Sequence, residues 1–219
     1  GGVAVVTGLA QLWSPGVFRL RAVLPAAVGV KTLACALFFG AASHLPLALT
    51  EIHHRGSTFT GFVLTAAAMA WSSAAFLQAR LLPILGASRI ALLGVLGAGL
   101  AVLGLLVLVD PSVTPYVALP IWALGAAGMG LVYNTTSDSA LAATGEGESG
   151  STGTALGISD SVGAAFGTGV ASGLLNAAQA SGAGLGAGLT WGWMALLVLA
   201  LPMAVGASRL GGRLLPSER

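Results

Sequence analysis

The stretch from Ile90 to Val109 reads IALLGVLGAGLAVLGLLVLV and contains no charged or hydrogen-bonding side chain. As an α-helix, a segment of this length would be about 30 Å long, which matches the thickness of the hydrocarbon core of a bilayer. Because it is apolar all round, it predicts a membrane-spanning helix, not the surface helix of a soluble domain.

The composition of the whole chain points in the same direction. The 219 residues are 56% hydrophobic, with a mean hydropathy of +0.92, and include only 9 Lys and Arg and 7 Asp and Glu. A soluble chain of this length would carry roughly 55 charged residues. Lipid must therefore face most of the surface, and a collagen-like, disordered or nucleic-acid-binding protein is excluded. The single cysteine, Cys35, rules out a disulfide framework and is expected to be a small buried residue.

Runs without charge predict where the chain crosses the membrane. We expect an all-α, polytopic membrane protein with six spans, at residues 30–50, 57–79, 90–109, 115–137, 154–177 and 188–207. Around this bundle, at 30–207, we expect three flanking segments: the end of a preceding span at 1–13, a basic amphipathic linker at 14–29, and a tail at 208–219. The chain thus reads as a fragment, since its first apolar run starts without Met or a charged leader.

The basic residues predict the orientation. Arg55 is the only one expected on the outer side; eight lie on the inner side, namely Arg19, Arg21, Lys31, Arg80, Arg89, Arg209, Arg213 and Arg219. Because Lys and Arg accumulate on the cytoplasmic side of membrane proteins, the linker and the C-terminus are predicted to be cytoplasmic.

Two ionisable residues at membrane depth are candidates for function. Asp160 lies about two turns inside the fifth predicted span, where a charge is costly and must face protein or water. It is interpreted either as a proton-coupling or cation-sensing carboxylate, or as a hydrated residue near the cytoplasmic end. His44 lies in the outer third of the first span, where it could titrate or line a pore, although a place near the headgroups is favoured.

Other polar residues carry weaker signals. Asp138 is interpreted as an interfacial or capping residue, and the deeper Asn134 could hydrogen-bond across helices or to a ligand. The outer segment containing Glu51, His53 and His54 matches no metal-binding spacing. No nucleophile elbow, phosphate-binding loop or metalloprotease motif is present, so we predict neither an enzyme nor a cofactor or metal site.

Small residues predict where helices touch. Gly163 and Gly167, and then Gly169 and Gly173, are spaced four apart in the fifth predicted span. Such spacings allow close approach of membrane helices, so this span is expected to pack against another helix.

Several segments, in order, resemble the C-terminal half of a major facilitator superfamily transporter, and more narrowly the bacterial drug:proton antiporters of the 14-helix type. They are LPLALT at 45–50, GFVLT at 61–65 followed by Trp71-Ser72, and the small-residue patterns at 125–134 and 163–173. The segment 78–89 occupies the place of the family's cytoplasmic loop and keeps Arg80, Gly86 and Arg89. The Gly and Asp that the family carries at the front of that loop are absent.

The resemblance implies half of a major-facilitator-type bundle that rocks against a missing N-terminal half around a midplane site. It further implies proton-coupled export of small amphipathic compounds from a bacterial cell, with the chain in the plasma membrane. Phe38, Phe39, Trp71 and Asn134 would line the substrate site, and Asp160 would carry the proton. The alternative is a non-catalytic membrane subunit of another transport assembly; an intramembrane enzyme ranks third.

Overall fold

A computed structural model describes residues 23–145 and 147–211, which are helical with short connections and contain no strand. The predicted segment 1–13, the first part of the linker at 14–22 and the last part of the tail at 212–219 lie outside the described residues. So do four of the arginines used to predict the orientation: Arg19, Arg21, Arg213 and Arg219.

Seven helices of eight residues or more follow one another within the described ranges. They are α1 (Val23–Ala42), α2 (Ser57–Leu85), α3 (Ala87–Leu105), α4 (Ala118–Ala142), α5 (Ser149–Ala180), α6 (Gly184–Leu197) and α7 (Ala200–Ser208). Short pieces extend three of the spans: Leu45–Leu47 and a π-helical turn at Ala48–Ile52 after α1, a 3₁₀ turn at Leu106–Val109 after α3, and another at Pro115–Val117 before α4.

Within the described residues, five segments are long and apolar enough to cross a membrane. These are Val23–Ile52, Ser57–Leu85, Ala87–Val109, Pro115–Ala142 and Gly184–Ser208. The count differs from the predicted six, because α5 is helical over the predicted fifth span but is the least apolar of the long helices. Its many Gly, Ser and Thr residues, together with Asp160, lower its hydropathy.

Two boundaries differ from those predicted. α1 already includes Val23, before the predicted start of the span at 30, so the described residues 23–29 are helical. The segment 78–89 is also almost entirely helical: α2 runs to Leu85, α3 starts at Ala87, and Gly86 alone makes the turn. Gly86 has a φ of 76°, which glycine adopts without the steric cost of a Cβ.

Prolines explain two interruptions. Pro46 has no N–H to donate to the carbonyl of Ala42, and α1 ends at that residue. Pro202 likewise cannot donate to Val198, which lies in the break between α6 and α7.

In the turn after α3, hydrogen bonds from Ser112 lower the pKa of Asp110.

The central helix of the bundle is α1, which packs mainly on α4 and α5. About 72% of the most apolar 18-residue stretch of its span is buried, against 22% for the corresponding stretch of α2. Large apolar side chains instead cover the outer face of α2, where Phe62, Met69 and Phe76 are each more than 60% exposed. An apolar outer surface of this kind suits lipid as its solvent.

Small residues bring two helix pairs into backbone contact. A Cβ added at Gly163 or Gly167 of α5 would collide with the backbone of α1, at the carbonyls of Thr32 and Ala36. The predicted helix contact is therefore confirmed for this pair of glycines. The second pair, Gly169 and Gly173, has nothing within 4 Å and makes no such contact. Glycines also line the junction of α3 and α4, at Gly94, Gly97 and Gly128.

Candidate functional site

A partly buried ion pair joins α1 to α5 and contacts α4. Lys31 of α1 lies with its Nζ 3.4 Å from Oδ1 of Asp160 on α5. The same Nζ donates a hydrogen bond to Oγ of Ser137 on α4 at 2.9 Å and lies 3.8 Å from the ring centroid of Tyr133, also on α4. The ammonium group therefore has an anion, a hydroxyl and an aromatic face around it.

Both carboxylate oxygens of Asp160 have further partners. The Tyr133 hydroxyl donates to Oδ2 at 2.6 Å, and the Cys35 thiol donates to Oδ1 at 3.5 Å. The Asp160 side chain is 28% exposed, whereas that of Lys31 is 4% exposed. The pair is thus closed on the lysine side and open on the carboxylate side, where a proton or a ligand can arrive.

The position of Lys31 corrects the sequence interpretation, which placed it at the cytoplasmic flank of the first span. A search for charge-free runs ends at every charge, so it cannot distinguish a lysine that is paired inside a bundle from one that flanks it. Two signals could have identified Lys31: it is the only lysine in the chain, and a carboxylate at membrane depth calls for a countercharge. Tyr133, which the sequence analysis did not single out, is a further partner of Asp160.

An aromatic cavity of about 410 Å³ lies between α1, α2 and α4. Phe38 stacks on Trp122 with ring centroids 4.6 Å apart, and Trp71 meets Phe38 edge-on at 5.4 Å. Three of the four residues predicted to line a substrate site contribute to its wall: Phe38, Phe39 and Trp71. The remaining lining residues are Ala42, Leu64, Ala67, Ala68, Ser72, Trp122 and Ala126, so no charged side chain of the described residues lines it.

Tyr133 connects the cavity to the ion pair. Its ring lies 5.5 Å from that of Trp71, centroid to centroid, while its hydroxyl is bonded to Asp160. The fourth predicted lining residue, Asn134, is half-buried next to it on α4 but is not among the residues that line the cavity. Tyr133, which does not itself line the cavity, therefore links the aromatic wall to the ion pair.

His44 forms a second polar contact between α1 and α5. It is buried in the break after α1, where its Nδ1 lies 2.8 Å from Oγ of Ser43 and its Nε2 lies 3.3 Å from Oγ of Ser172. At 1.5 Å per residue, Ser172 lies about 18 Å further along α5 than Asp160. The structure does not bring the two proton-coupling candidates together.

The remaining predicted residues lie elsewhere. Arg80 and Arg89 are exposed on either side of the Gly86 turn. Asp138 accepts a hydrogen bond at 3.0 Å from Nε2 of Gln78, which is buried on α2. Within the part of the chain that the structure describes, no cluster of three or more His, Cys, Asp or Glu side chains could hold a metal ion.

Comparison with protein families, curated proteins and solved structures found no match to this chain.

Proposed function

We propose that this chain is the membrane domain of a secondary transporter that couples the export of small amphipathic compounds to protons by alternating access, without enzymatic chemistry. One observation carries the proposal: the Lys31–Asp160 pair, which is buried on the lysine side, is linked through Tyr133 to an open aromatic cavity between apolar helices. Ionisable groups are costly at membrane depth and are retained mainly where they bind or move ions.

The cavity suits a compact, largely apolar compound. Its volume of about 410 Å³ lies within the range of small-molecule sites, which are mostly apolar and aromatic with a few polar groups. The rings of Phe38, Trp71 and Trp122 offer faces and edges on which a flat molecule can stack. The Tyr133 side chain then places the polar end of such a molecule near Asp160.

The charge state of the ion pair affects how strongly α1 and α5 are held together. Loss of either charge, by protonation of Asp160 or deprotonation of Lys31, removes the attraction between the carboxylate and the ammonium. One of the polar links between the two helices is then lost. The rest of this junction consists of closely packed small residues such as Gly163 and Gly167. Helices can shift across such a surface because no interdigitated long side chains have to separate. Proton binding therefore biases the arrangement of the two helices.

The proposed working unit includes a second helical half, as the major facilitator resemblance implies. Supporting this, the outward face of α5 exposes small and polar residues, which suit a protein or water contact better than lipid: Gly157, Ser161, Gly169, Gly173 and Asn176. The arginine distribution supports a cytoplasmic C-terminus, and the resemblance supports a bacterial plasma membrane.

The transporter proposal is tested with Asp160→Asn in the complete protein, reconstituted into proteoliposomes under an imposed pH gradient. We expect a loss of proton-driven transport of at least about tenfold, because the amide carries neither a proton nor a charge over the working pH range. Asp138→Asn is the matched control, since that carboxylate pairs with the neutral Gln78 and should leave transport near the wild-type rate. Equal transport by the wild type and Asp160→Asn at several pH values would exclude the role of Asp160.

The alternative, a non-catalytic membrane subunit, is favoured by one observation: the backbone contacts at Gly163 and Gly167 also suit a static scaffold. In that case the aromatic cavity has no ligand. Trp71→Ala would then leave transport by the assembly unchanged, whereas the transporter proposal predicts weaker substrate binding.

A further inference from the structure

We propose that Lys31 carries the exchanged proton and releases it when an organic cation replaces the lysine as the partner of Asp160. This inference rests on the proposed function and specifies its proton carrier. The observation behind it is the unequal exposure of the two partners: the Lys31 ammonium is enclosed by protein, whereas the Asp160 carboxylate is partly exposed.

The groups around the pair leave Lys31 with a single counter-ion. Lys31 is faced by Asp160 from α5 and by Ser137 and Tyr133 from α4, of which Asp160 alone carries a negative charge. Asp160 is faced by Lys31 and Cys35 from α1 and by Tyr133 from α4. Lys31 is thus a cation that the protein itself supplies to the carboxylate.

A substrate cation can reach the same carboxylate along an aromatic path. Cations bind to the faces of Trp and Tyr rings. The ring of Trp71, in the cavity wall, lies 5.5 Å from the ring of Tyr133, centroid to centroid. The Tyr133 hydroxyl touches the carboxylate, so a cation against that ring lies next to Asp160. An anionic compound would find no free positive charge there, because the ammonium is already paired.

Charge balance then requires the lysine to lose a proton. When a cation pairs with Asp160, the ammonium of Lys31 is left buried between a hydroxyl and a ring, without an anion. A buried, unpaired charge is strongly unfavourable, and the group neutralises instead. One N–H bond of the ammonium breaks, the electron pair stays on nitrogen, and the proton leaves to water at the exposed side of Asp160. The site is neutral before and after, so one cation exchanges for one proton.

The choice of residue fits this role. Lys31 is the only lysine of the chain, and every other basic residue is an arginine. A lysine can give up its proton when it loses its partner, whereas an arginine stays charged in proteins. A purely structural counter-ion for Asp160 would not need to be a lysine.

The test measures proton release on binding. The complete protein, purified in detergent in weakly buffered solution with a pH-indicator dye, is titrated with tetraphenylphosphonium, and the bound cation is measured by equilibrium dialysis. We expect the wild type to release about one proton per bound cation. Lys31→Arg should still bind the cation but release less than a tenth as many protons. Lys31→Gln is the second variant, in case an arginine does not fit at position 31. It should likewise bind the cation and release few protons, because glutamine has no proton to release. Asp160→Asn should neither bind the cation nor release protons.

The outcomes separate this inference from the transporter proposal. Proton release by Lys31→Arg at the wild-type ratio would overturn it and make Asp160 the proton carrier, with the transporter proposal intact. Proton-driven transport of a neutral compound, without binding of tetraphenylphosphonium, would likewise overturn it alone. Absence of any proton-driven transport by the wild type in proteoliposomes would instead overturn the transporter proposal.

Discussion

At the residue scale, the two members of the ion pair are not equivalent. Lys31 is closed off by the bundle, while more than a quarter of the Asp160 side chain is exposed. Removal of the lysine leaves a carboxylate that water can reach. Removal of the carboxylate charge leaves an ammonium that water cannot reach. The cost of breaking the pair therefore depends on which partner is changed.

Asp160→Asn is expected to lower the stability of the folded protein more than Lys31→Met. Loss of one partner from a fully buried pair costs about 3–5 kcal/mol, and we expect roughly 2 kcal/mol here because Asp160 is partly exposed. The double variant, which contains no unpaired charge at this site, should be more stable than Asp160→Asn alone. The unfolding temperatures of the two single variants and the double variant are compared in detergent by tryptophan fluorescence. A double variant less stable than Asp160→Asn would contradict this account.

The sequence identified Asp160 because a carboxylate within an otherwise apolar span can be recognised without knowing the structure. It also pointed to Phe38, Phe39 and Trp71, whose aromatic character within apolar spans is visible in the same way. The sequence analysis did not pair Lys31 or Tyr133 with Asp160, since they lie 129 and 27 residues from it along the chain and meet it only through helix packing.

At the scale of elements, the junction of α1 and α5 depends on glycine. Only one side of α5 approaches α1 closely: Gly163 and Gly167 face it, while Gly169 and Gly173 do not. The four-residue spacing alone cannot distinguish the two pairs, because both lie on the same helix and differ only in the direction they face.

Gly167→Ala should destabilise the protein, whereas Gly169→Ala should be neutral or stabilising. Both changes gain up to about 1 kcal/mol of helix propensity. At Gly167 the new methyl meets the backbone of Ala36, which cannot move aside as a side chain can, and overpacking of this kind costs about 1–3 kcal/mol. At Gly169 the methyl meets open space. The two variants are compared by their unfolding midpoints in the same detergent.

Equal midpoints for the two glycine variants would mean that α1 and α5 are not in backbone contact. Since Gly167→Ala leaves Lys31 and Asp160 in place, a change in transport for this variant would also show that the junction moves during the cycle.

At the scale of the whole molecule, the path of α5 decides the topology of the bundle. Its 32 residues would extend about 48 Å, longer than the hydrocarbon core, yet its composition is less apolar than that of the five candidate spans. A helix that faces protein and water on most sides can cross a membrane without being strongly apolar, because lipid contacts only part of it.

If α5 crosses the membrane, its two ends lie on opposite sides. Ser149→Cys and Ser181→Cys place nearly isosteric thiols at exposed positions at either end. With a membrane-impermeant maleimide on intact cells, we expect Ser181→Cys to be labelled and Ser149→Cys to be labelled only after permeabilisation. The wild type, whose single cysteine is buried, is the unlabelled control. Labelling of both sites from the same side would remove α5 from the set of spans.

The sequence by itself determined that the chain is a bundle of apolar helices, because charge-free runs of membrane length and prolines at two helix breaks act locally. It also singled out a carboxylate and three aromatic residues. Only the tertiary structure decided that Lys31 is an interior countercharge, that Tyr133 joins the aromatic cavity to the ion pair, and that one of the two glycine pairs of α5 forms an interface. Burial and pairing depend on which faces of distant helices meet, and hydropathy along the chain does not contain that information.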